Sequence, residues 1–296
     1  MSVTAAGAGQ VPLAARTADF LQLTKPRITL LVVLTTLVGF LEGSGRPRDI
    51  ELLLHTLVGT ALVAAAAGAL NQLAERRSDA LMRRTMSRPL PAGRLGAGPA
   101  AAFGLLLLGG GTAYLLLAVN ALAATLALLT AASYLLAYTP LKKVTSLATV
   151  IGAVPGAIPP MIGWAASRGT LDAGAWVLFG IVFFWQMPHF LAIAILYRRD
   201  YERAGFRVLP VADPDGRSTG RQALLYAATL LPLSLLPSFV GLAGPWYFAG
   251  ALALGVLFLA ASARVLARPG DVSRARSLFR FSLLYLPALF VLLTAG

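Results

Sequence analysis

One stretch of the chain carries oxygen ligands and cations at a spacing that could serve chemistry. Asn71, Glu75 and Asp79 are four residues apart, so an α-helix would place all three side chains on one face. Five arginines surround them, namely Arg76, Arg77, Arg83, Arg84 and Arg88. Carboxylates are ligands for Mg²⁺, and arginines bind phosphate oxygens. The pattern therefore indicates a site for a divalent cation that carries a phosphorylated substrate.

A second acidic stretch follows another apolar run and repeats this combination. Asp200 is flanked by three arginines, Arg198, Arg199 and Arg203. Between the two stretches, the segment YTPLKKVTS supplies Tyr138, Lys142 and Lys143. Lysines and arginines bind the phosphate oxygens that a metal leaves free. The three segments together contain the parts of one metal-diphosphate site.

Each of these side chains also has a simpler interpretation. An acid-and-arginine helix end can be a solvated cap, and Asp79 and Arg83 have the spacing of an intrahelical ion pair. Asn71 is harder to explain in this way, because it ends an apolar run where a polar side chain needs a partner. His189, in WQMPHFLAIAIL, lies inside an apolar run and is either functional or a hydrogen-bonded packing residue. His55 is read as an interfacial residue.

The composition indicates a membrane protein. The 296 residues are 57% hydrophobic and 12% charged, whereas soluble domains carry about 25% charged residues. The chain has no cysteine, which excludes disulfides, iron–sulfur clusters, thiolate zinc sites and covalent c-type haem.

Nine apolar runs are each long enough to cross a bilayer as a helix. The fold class is therefore all-α, a polytopic membrane protein with a predicted disordered arm over 1–20 and one membrane domain over 21–296. Asn120 and Gly244-Pro245 mark two very short turns between spans. The predicted spans are 28–43, 51–70, 99–119, 121–138, 147–166, 174–196, 223–243, 246–266 and 278–295.

The distribution of basic residues predicts the orientation. With the N-terminus in the cytoplasm, every Lys and Arg except Arg46, Arg48 and Arg168 lies in an inside segment. The positive-inside rule therefore predicts a cytoplasmic N-terminus, and it explains the net charge of +13 without nucleic acid. The acidic stretches are also inside, so the site is predicted to face the cytoplasm.

Four motifs together resemble the UbiA-type intramembrane prenyltransferases, and within them the haem O synthase (protohaem IX farnesyltransferase) branch. They cover the first six spans in order. The motifs are LTKPRIT, AAAAGALNQLAERRSDALMRRTMSRPLPAG, YTPLKKVTSLATVIGAVPGAIPPMIGWAA and WQMPHFLAIAILYRRDYERAGFRVLPV.

The resemblance implies nine helices around a central cavity, and Mg²⁺-assisted transfer of a farnesyl group from farnesyl diphosphate to a vinyl group of haem B. It implies Asn71, Glu75, Asp79 and Asp200 as metal ligands. It implies catalytic roles for Asn71, Asp79, Asp200 and His189, with His189 contacting haem. The implied substrate-binding residues are Lys25, Arg27, Arg83, Arg88, Tyr138, Lys142, Lys143, Arg198, Arg199 and Tyr201.

The chain departs from the family pattern at two places. Glu75 stands where the family has Asp, so its carboxylate lies about one methylene further from the backbone. The second motif offers only Asp200 as a clear acid, with Glu202 two residues later rather than four. One firmly held Mg²⁺ is therefore expected, and the second ion is in doubt.

Other functions share these features. A UbiA-type enzyme could act on an aromatic quinone precursor, and a non-catalytic haem carrier or oxidase assembly protein could have the same acids as a solvated rim. A transporter is less favoured, because no charged residue lies well inside a span. The resemblance further implies the cell membrane, the surrounding lipid bilayer, and proteins of haem-copper oxidase assembly or haem A synthesis as partners.

Overall fold

The computed structural model of the protein describes residues 13–44 and 49–295, and this part of the chain is helical, without a strand. One segment, Ser133–Tyr138, is π-helical. The helices are α1 (Leu13–Leu23), α2 (Pro26–Gly43), α3 (Ile50–Asp79), α4 (Ala97–Ala118), α5 (Ala121–Ala132), α6 (Thr139–Leu141), α7 (Ala148–Ala157), α8 (Pro159–Arg168), α9 (Ala173–Leu196), α10 (Arg198–Arg203), α11 (Leu209–Ala212), α12 (Arg217–Phe239), α13 (Pro245–Ala267) and α14 (Val272–Ala295).

Within the described ranges, nine helical segments are long and apolar enough to cross a membrane, which confirms the nine predicted spans. Two of them are composite, because α5 continues through the π-helical segment into α6, and α7 and α8 form one span. At α3 the predicted apolar run ends at residue 70 and the helix continues to Asp79, which agrees with the helical spacing of Asn71, Glu75 and Asp79. Residues 71–79 are rich in Leu, Ala, Glu and Arg, which favour helix, so the apolar run ends but the helix does not.

The N-terminal arm differs from the prediction of disorder over 1–20. Its residues from 13 onward belong to α1, so the prediction is wrong there, and residues 1–12 lie outside the described part. The Phe20 ring meets the Phe103 ring of α4 edge-on at 5.0 Å between centroids, and Leu23 is fully buried. These apolar contacts stabilise α1 against the bundle.

Two apolar clusters hold the bundle together. One joins α9, α12, α13 and α14 and contains the buried side chains of Leu178, Phe258 and Tyr285. The other joins α2, α3, α5 and α8 and contains Phe40 and Ile162. The membrane helices thus form two packed groups, and the polar site must be built where their ends meet.

Helices α2 and α8 approach so closely that only glycine fits at their crossing. A Cβ atom on Gly39 would lie 1.8 Å from the carbonyl oxygen of Pro160, and one on Gly163 would lie 1.9 Å from that of Thr36. Close backbone contact through small residues is a common way for membrane helices to associate.

We expect Gly39→Ala to lower the thermal denaturation midpoint in detergent, because the new methyl group would meet backbone atoms that cannot move independently. Overpacking of this kind costs about 1–3 kcal/mol or more. Gly110→Ala is the matched control, since a Cβ there would have no atom within 4 Å. Equal midpoints for the two variants would contradict the close contact.

Candidate functional site

The polar ends of four helices meet at one end of the bundle, which we call the basic end and define by Lys25, Asp79, Lys142 and Tyr197. Lys25 precedes α2, Asp79 ends α3, Lys142 follows α6, and Tyr197 follows α9. Side-chain contacts between these segments, described next, show that the predicted loops of the site are neighbours in space.

The α3 face carries the three predicted oxygen ligands, and each of them is buried and paired with a cation from elsewhere. Asn71 is 1% exposed, Glu75 8% and Asp79 1%. Lys25 Nζ donates to Asn71 Oδ1 at 2.6 Å, and Lys142 Nζ donates to Glu75 Oε1 at 2.6 Å. Arg88 Nη1 donates to Asp79 Oδ2 at 2.8 Å.

These pairs decide between the two readings of the segment. A solvated cap would leave the carboxylates in water, whereas Glu75 and Asp79 are buried with partners 67 and 9 residues away in the chain. The spacing of Asp79 and Arg83 suggested an ion pair between them, but Asp79 pairs with Arg88 instead. Buried charges persist where they are paired and hydrogen-bonded, so the solvated-cap interpretation does not hold for Glu75 and Asp79.

Lys25 is held in place by a strained backbone and by a buried glutamine. Among the non-glycine residues that the structure describes, Lys25 alone has a positive φ angle, +50°. This conformation costs free energy and often marks a functional position. Gln72 Nε2 donates to the carbonyl oxygens of Gln22 and Leu23 at 3.1 and 3.0 Å, which fixes the turn before Lys25. Burial, together with the neighbouring charges of Arg88 and Lys142, lowers the pKa of Lys25 to about 7.

A local change of helix type positions Lys142 and its neighbours. In the π-helical segment, Tyr138 packs beneath Lys142, whose Nζ lies 4.3 Å from the ring centroid. Asn71 Nδ2 donates to Thr139 Oγ1 at 3.0 Å, and Thr139 Oγ1 donates to the carbonyl oxygen of Tyr134 at 2.8 Å. Short π-helical turns are frequent at functional sites. Here the turn brings a hydroxyl, a ring and an ammonium group against the α3 face.

Asp200 belongs to a neighbouring cavity rather than to the α3 face. It is 9% exposed and accepts a hydrogen bond from Arg203 one turn later in α10. A cavity of about 770 Å³ lies beside it. The predicted residues that line this cavity are Arg83, Arg198, Arg199 and Asp200.

Arg84 joins the loop after α3 to the loop that carries Asp200. Its guanidinium lies 4.8 Å from the Tyr197 ring centroid and 4.6 Å from that of Tyr201. Beneath it, Met82 packs with Phe206 in a small apolar cluster. Tyr201, predicted as a substrate contact, thus also contacts Arg84, which links the two acidic stretches.

Three predicted site residues lie apart from these groups. Arg27 and Lys143 are exposed, and neither makes a side-chain hydrogen bond or ion pair within the described residues. His189 lies in α9, about seven residues before its end, and its Nδ1 is 2.7 Å from Ser282 Oγ of α14. The structure therefore separates Lys142, which contacts the α3 face, from its neighbour Lys143.

Sequence reasoning missed several residues that position the site. In the sequence, Thr139 and Gln72 are only polar residues at the ends of spans, and nothing distinguishes them from other such residues. Arg84 is one of five arginines in its segment, and the sequence does not single it out. Ser282 lies in a span of ordinary hydropathy that the motifs do not cover. A polar residue inside an apolar run is the signal that could have identified Ser282.

The donor set is suited to a hard cation. Within the described residues, no three His, Cys, Asp or Glu side chains are close enough to hold a metal by themselves. Mg²⁺ usually takes only one or two carboxylates and completes its octahedron with phosphates and waters. Glu75, Asp79 and the amide oxygen of Asn71 fit that requirement.

The chain is similar to proteins of known family over most of its length. The model of the UbiA prenyltransferase family matches residues 32–284. A protoheme IX farnesyltransferase of Solibacter usitatus (strain Ellin6076) is 48% identical over 284 residues, covering 93% of this chain and 97% of that protein. A protein of the same name from Koribacter versatilis (strain Ellin345) is 46% identical, covering 93% and 92%.

Solved structures share the fold at lower identity. A structure described for digeranylgeranylglyceryl phosphate synthase has a TM-score of 0.81 and 20% identity, covering 95% of this chain and 98% of that chain. A UbiA homolog from Archaeoglobus fulgidus bound to DMAPP and Mg²⁺ has a TM-score of 0.69 and 17% identity, covering 94% and 100%. These likenesses confirm the expected arrangement of the helices.

We expect Arg84→Ala to loosen the loop that carries Asp200, because the guanidinium loses both tyrosine rings. Cation–π contacts are worth about 0.5–2 kcal/mol each, and a loss of about 1 kcal/mol corresponds to roughly fivefold faster local opening. Amide hydrogen exchange over residues 197–206 measures this change. Arg77→Ala is the control, because Arg77 is exposed, and equal exchange in both variants would show that Arg84 does not hold the loop.

Proposed function

Because this chain belongs to the UbiA prenyltransferase family, we propose that it transfers the farnesyl group of farnesyl diphosphate to a vinyl group of haem B. The products are haem O and diphosphate. The observation that carries the proposal is the α3 face, where Asn71, Glu75 and Asp79 are buried against three cations. The choice of farnesyl and haem is supported by relatives at 42–48% identity, which are named protoheme IX farnesyltransferases.

The three cations of this face have the chemistry that a diphosphate needs. Lys25, Arg88 and Lys142 come from three different segments, and each now binds an oxygen of α3. With a diphosphate bound, the ammonium and guanidinium groups would bind phosphate oxygens, and Glu75, Asp79 and Asn71 would be the residues that hold its metal. Charge-assisted bonds to phosphate are among the strongest hydrogen bonds in proteins, so this exchange of partners would keep the charges of Glu75, Asp79, Lys142 and Arg88 paired.

One Mg²⁺ is proposed at this face, held by Glu75 and Asp79 with Asn71. When bound, Mg²⁺ neutralises the charge that develops on the departing diphosphate. A second ion would need Asp200, which in this structure is engaged by Arg203 within its own short helix. UbiA homologs have been solved with GPP and Mg²⁺, which supports a metal-assisted reaction in this fold.

The proposed reaction begins with cleavage of the allylic C–O bond of farnesyl diphosphate, and the bonding electrons leave with diphosphate. Lys25, Lys142 and Arg88 stabilise this leaving group. The terminal vinyl carbon of haem B forms a bond to farnesyl C1, which leaves a cation beside the porphyrin ring. Water adds to that cation and loses a proton, giving the hydroxyl of haem O. The farnesyl cation would need apolar surroundings that protect it from early hydrolysis, and His189 is proposed to contact the haem.

The proposed setting is a cell membrane, with the N-terminus and the basic end in the cytoplasm. It is supported by the concentration of Lys and Arg in the segments at this end. Residues 21–296 are proposed as one domain, which the match of residues 32–284 to a single family supports. A diphosphate carries several negative charges and cannot cross hydrocarbon unaided, so its site is expected on the side of the membrane where it is supplied.

Incubation of the purified protein with haem B, farnesyl diphosphate and Mg²⁺ tests the reaction directly. Mass spectrometry is expected to detect haem O. An aromatic prenyl product from a quinone precursor in place of haem O would identify a different acceptor. Haem binding without any product would identify a carrier and overturn the proposed activity.

Asp79→Asn and Asp200→Asn are expected to lower haem O formation in membranes, because each removes a negative charge from the metal-diphosphate region. Loss of one electrostatic contact to a developing charge lowers turnover by about a hundredfold, and we expect the larger loss for Asp79. Glu51→Gln is the control, since Glu51 lies on α3 at the opposite end. Near-normal turnover in both Asp variants would refute the metal assignment.

Lys142→Ala is expected to raise the KM for farnesyl diphosphate more than Lys143→Ala. Lys142 contacts the α3 face, whereas the ammonium group of Lys143 is exposed. A hydrogen bond to a charged group contributes about 1.5–3 kcal/mol, which corresponds to roughly a tenfold or larger change. Similar KM values for the two variants, measured with saturating haem B, would place the diphosphate elsewhere.

A further inference from the structure

His189 has an aromatic and polar environment that the diphosphate site does not use. Its ring stacks on Trp185 of α9 at 5.2 Å between centroids, and it lies 5.1 Å from the Phe279 ring of α14 and 5.7 Å from that of Phe190. A histidine at this depth in a membrane helix is costly unless it has partners or a function. Its observed polar partner is the hydroxyl of Ser282.

The hydrogen bonds of Ser282 determine which nitrogen of His189 carries the proton. A serine hydroxyl has one proton to donate, and Ser282 Oγ donates it to the carbonyl oxygen of Phe279 at 2.6 Å. At the contact of 2.7 Å with His189 Nδ1, Ser282 Oγ must therefore accept. Nδ1 is then the protonated nitrogen, and Nε2 keeps its lone pair.

Ser282 is held in this position by its burial and by a hydrogen bond to its backbone. Its side chain is fully buried, and no water competes for its hydroxyl. Its backbone carbonyl accepts a hydrogen bond from Trp185 Nε1 at 2.9 Å. The same tryptophan stacks on the imidazole, so α9 and α14 hold the ring from two directions.

The Nε2 atom is the free end of this arrangement. Within the described residues, it makes no hydrogen bond or ion pair, and His189 is partly exposed. A neutral imidazole with an accessible, unprotonated Nε2 is a ligand for a metal ion, and a hydrogen bond at the other nitrogen is what orients such ligands. The three flanking aromatic rings offer apolar surface to a flat partner.

We propose that Ser282 is a positioning residue for haem binding: it holds His189 as the Nδ1–H tautomer so that Nε2 binds the iron of haem B. This inference rests on the proposed function and adds to it a residue from the last helix. Ser282 touches His189 rather than the substrate, so its effect passes through the imidazole. The same arrangement fixes the face of α9 on which the porphyrin lies.

A haem B titration of the detergent-purified protein tests this role. We expect Ser282→Ala to weaken haem affinity by about 10–100-fold, the usual effect of removing the partner of a metal-bound histidine, and to change the absorption and electron paramagnetic resonance signals of the bound ferric haem. Binding of farnesyl diphosphate with Mg²⁺ is expected to stay unchanged. Ser262→Ala is the matched control, because Ser262 is equally buried in α13 and donates to the carbonyl oxygen of Phe258.

A double-mutant cycle separates positioning from packing. If Ser282 acts through His189, then Ser282→Ala has no further effect in a His189→Ala background, since the two changes remove one function. Additive losses, or wild-type haem affinity in Ser282→Ala, would overturn the inference. Haem O formation by the wild-type protein, measured in parallel, shows whether the proposed function holds when the inference fails.

Discussion

Charge pairing on the last turns of α3 is the constraint on which the site depends. Glu75 and Asp79 are buried at the end of a membrane helix, where an unpaired carboxylate would be strongly destabilising. Lys142 and Arg88 must therefore reach them, and Lys25 must reach Asn71 one turn deeper. Since these cations come from three segments, the pairing fixes the turn before α2, the loop after α3 and the end of α6 around one face.

The same pairing also suits the proposed substrate. A diphosphate carried by a divalent cation has charge of both signs, so each charged side chain of these pairs would find a partner of opposite sign. Glu75 illustrates the requirement. Its carboxylate accepts a hydrogen bond from Lys142 Nζ at 2.6 Å, which joins α3 to the end of α6.

The second acidic stretch differs from the α3 face in where its charge is neutralised. Asp200 is paired with Arg203 inside its own short helix, so no distant segment is needed to neutralise it. Its position relative to α3 depends instead on Arg84 between Tyr197 and Tyr201 and on the apolar contact of Met82 with Phe206. These contacts are weaker than a buried ion pair, which makes this loop the more adjustable half of the site.

The sequence by itself determined the nine spans, the side of the membrane predicted for the site, and the α3 face, because hydropathy and a four-residue spacing are local properties of a helix. It did not show that α1 packs as a helix, because α1 is held by a contact between Phe20 and Phe103, which are far apart in the sequence. It also could not distinguish Lys142 from Lys143, which differ only in the direction that the π-helical turn gives them. Thr139, Arg84 and Ser282 gain their roles from residues on other helices. Only the tertiary structure decided those contacts, because hydrogen bonds between helices depend on how the helices cross, and no local pattern encodes the crossing.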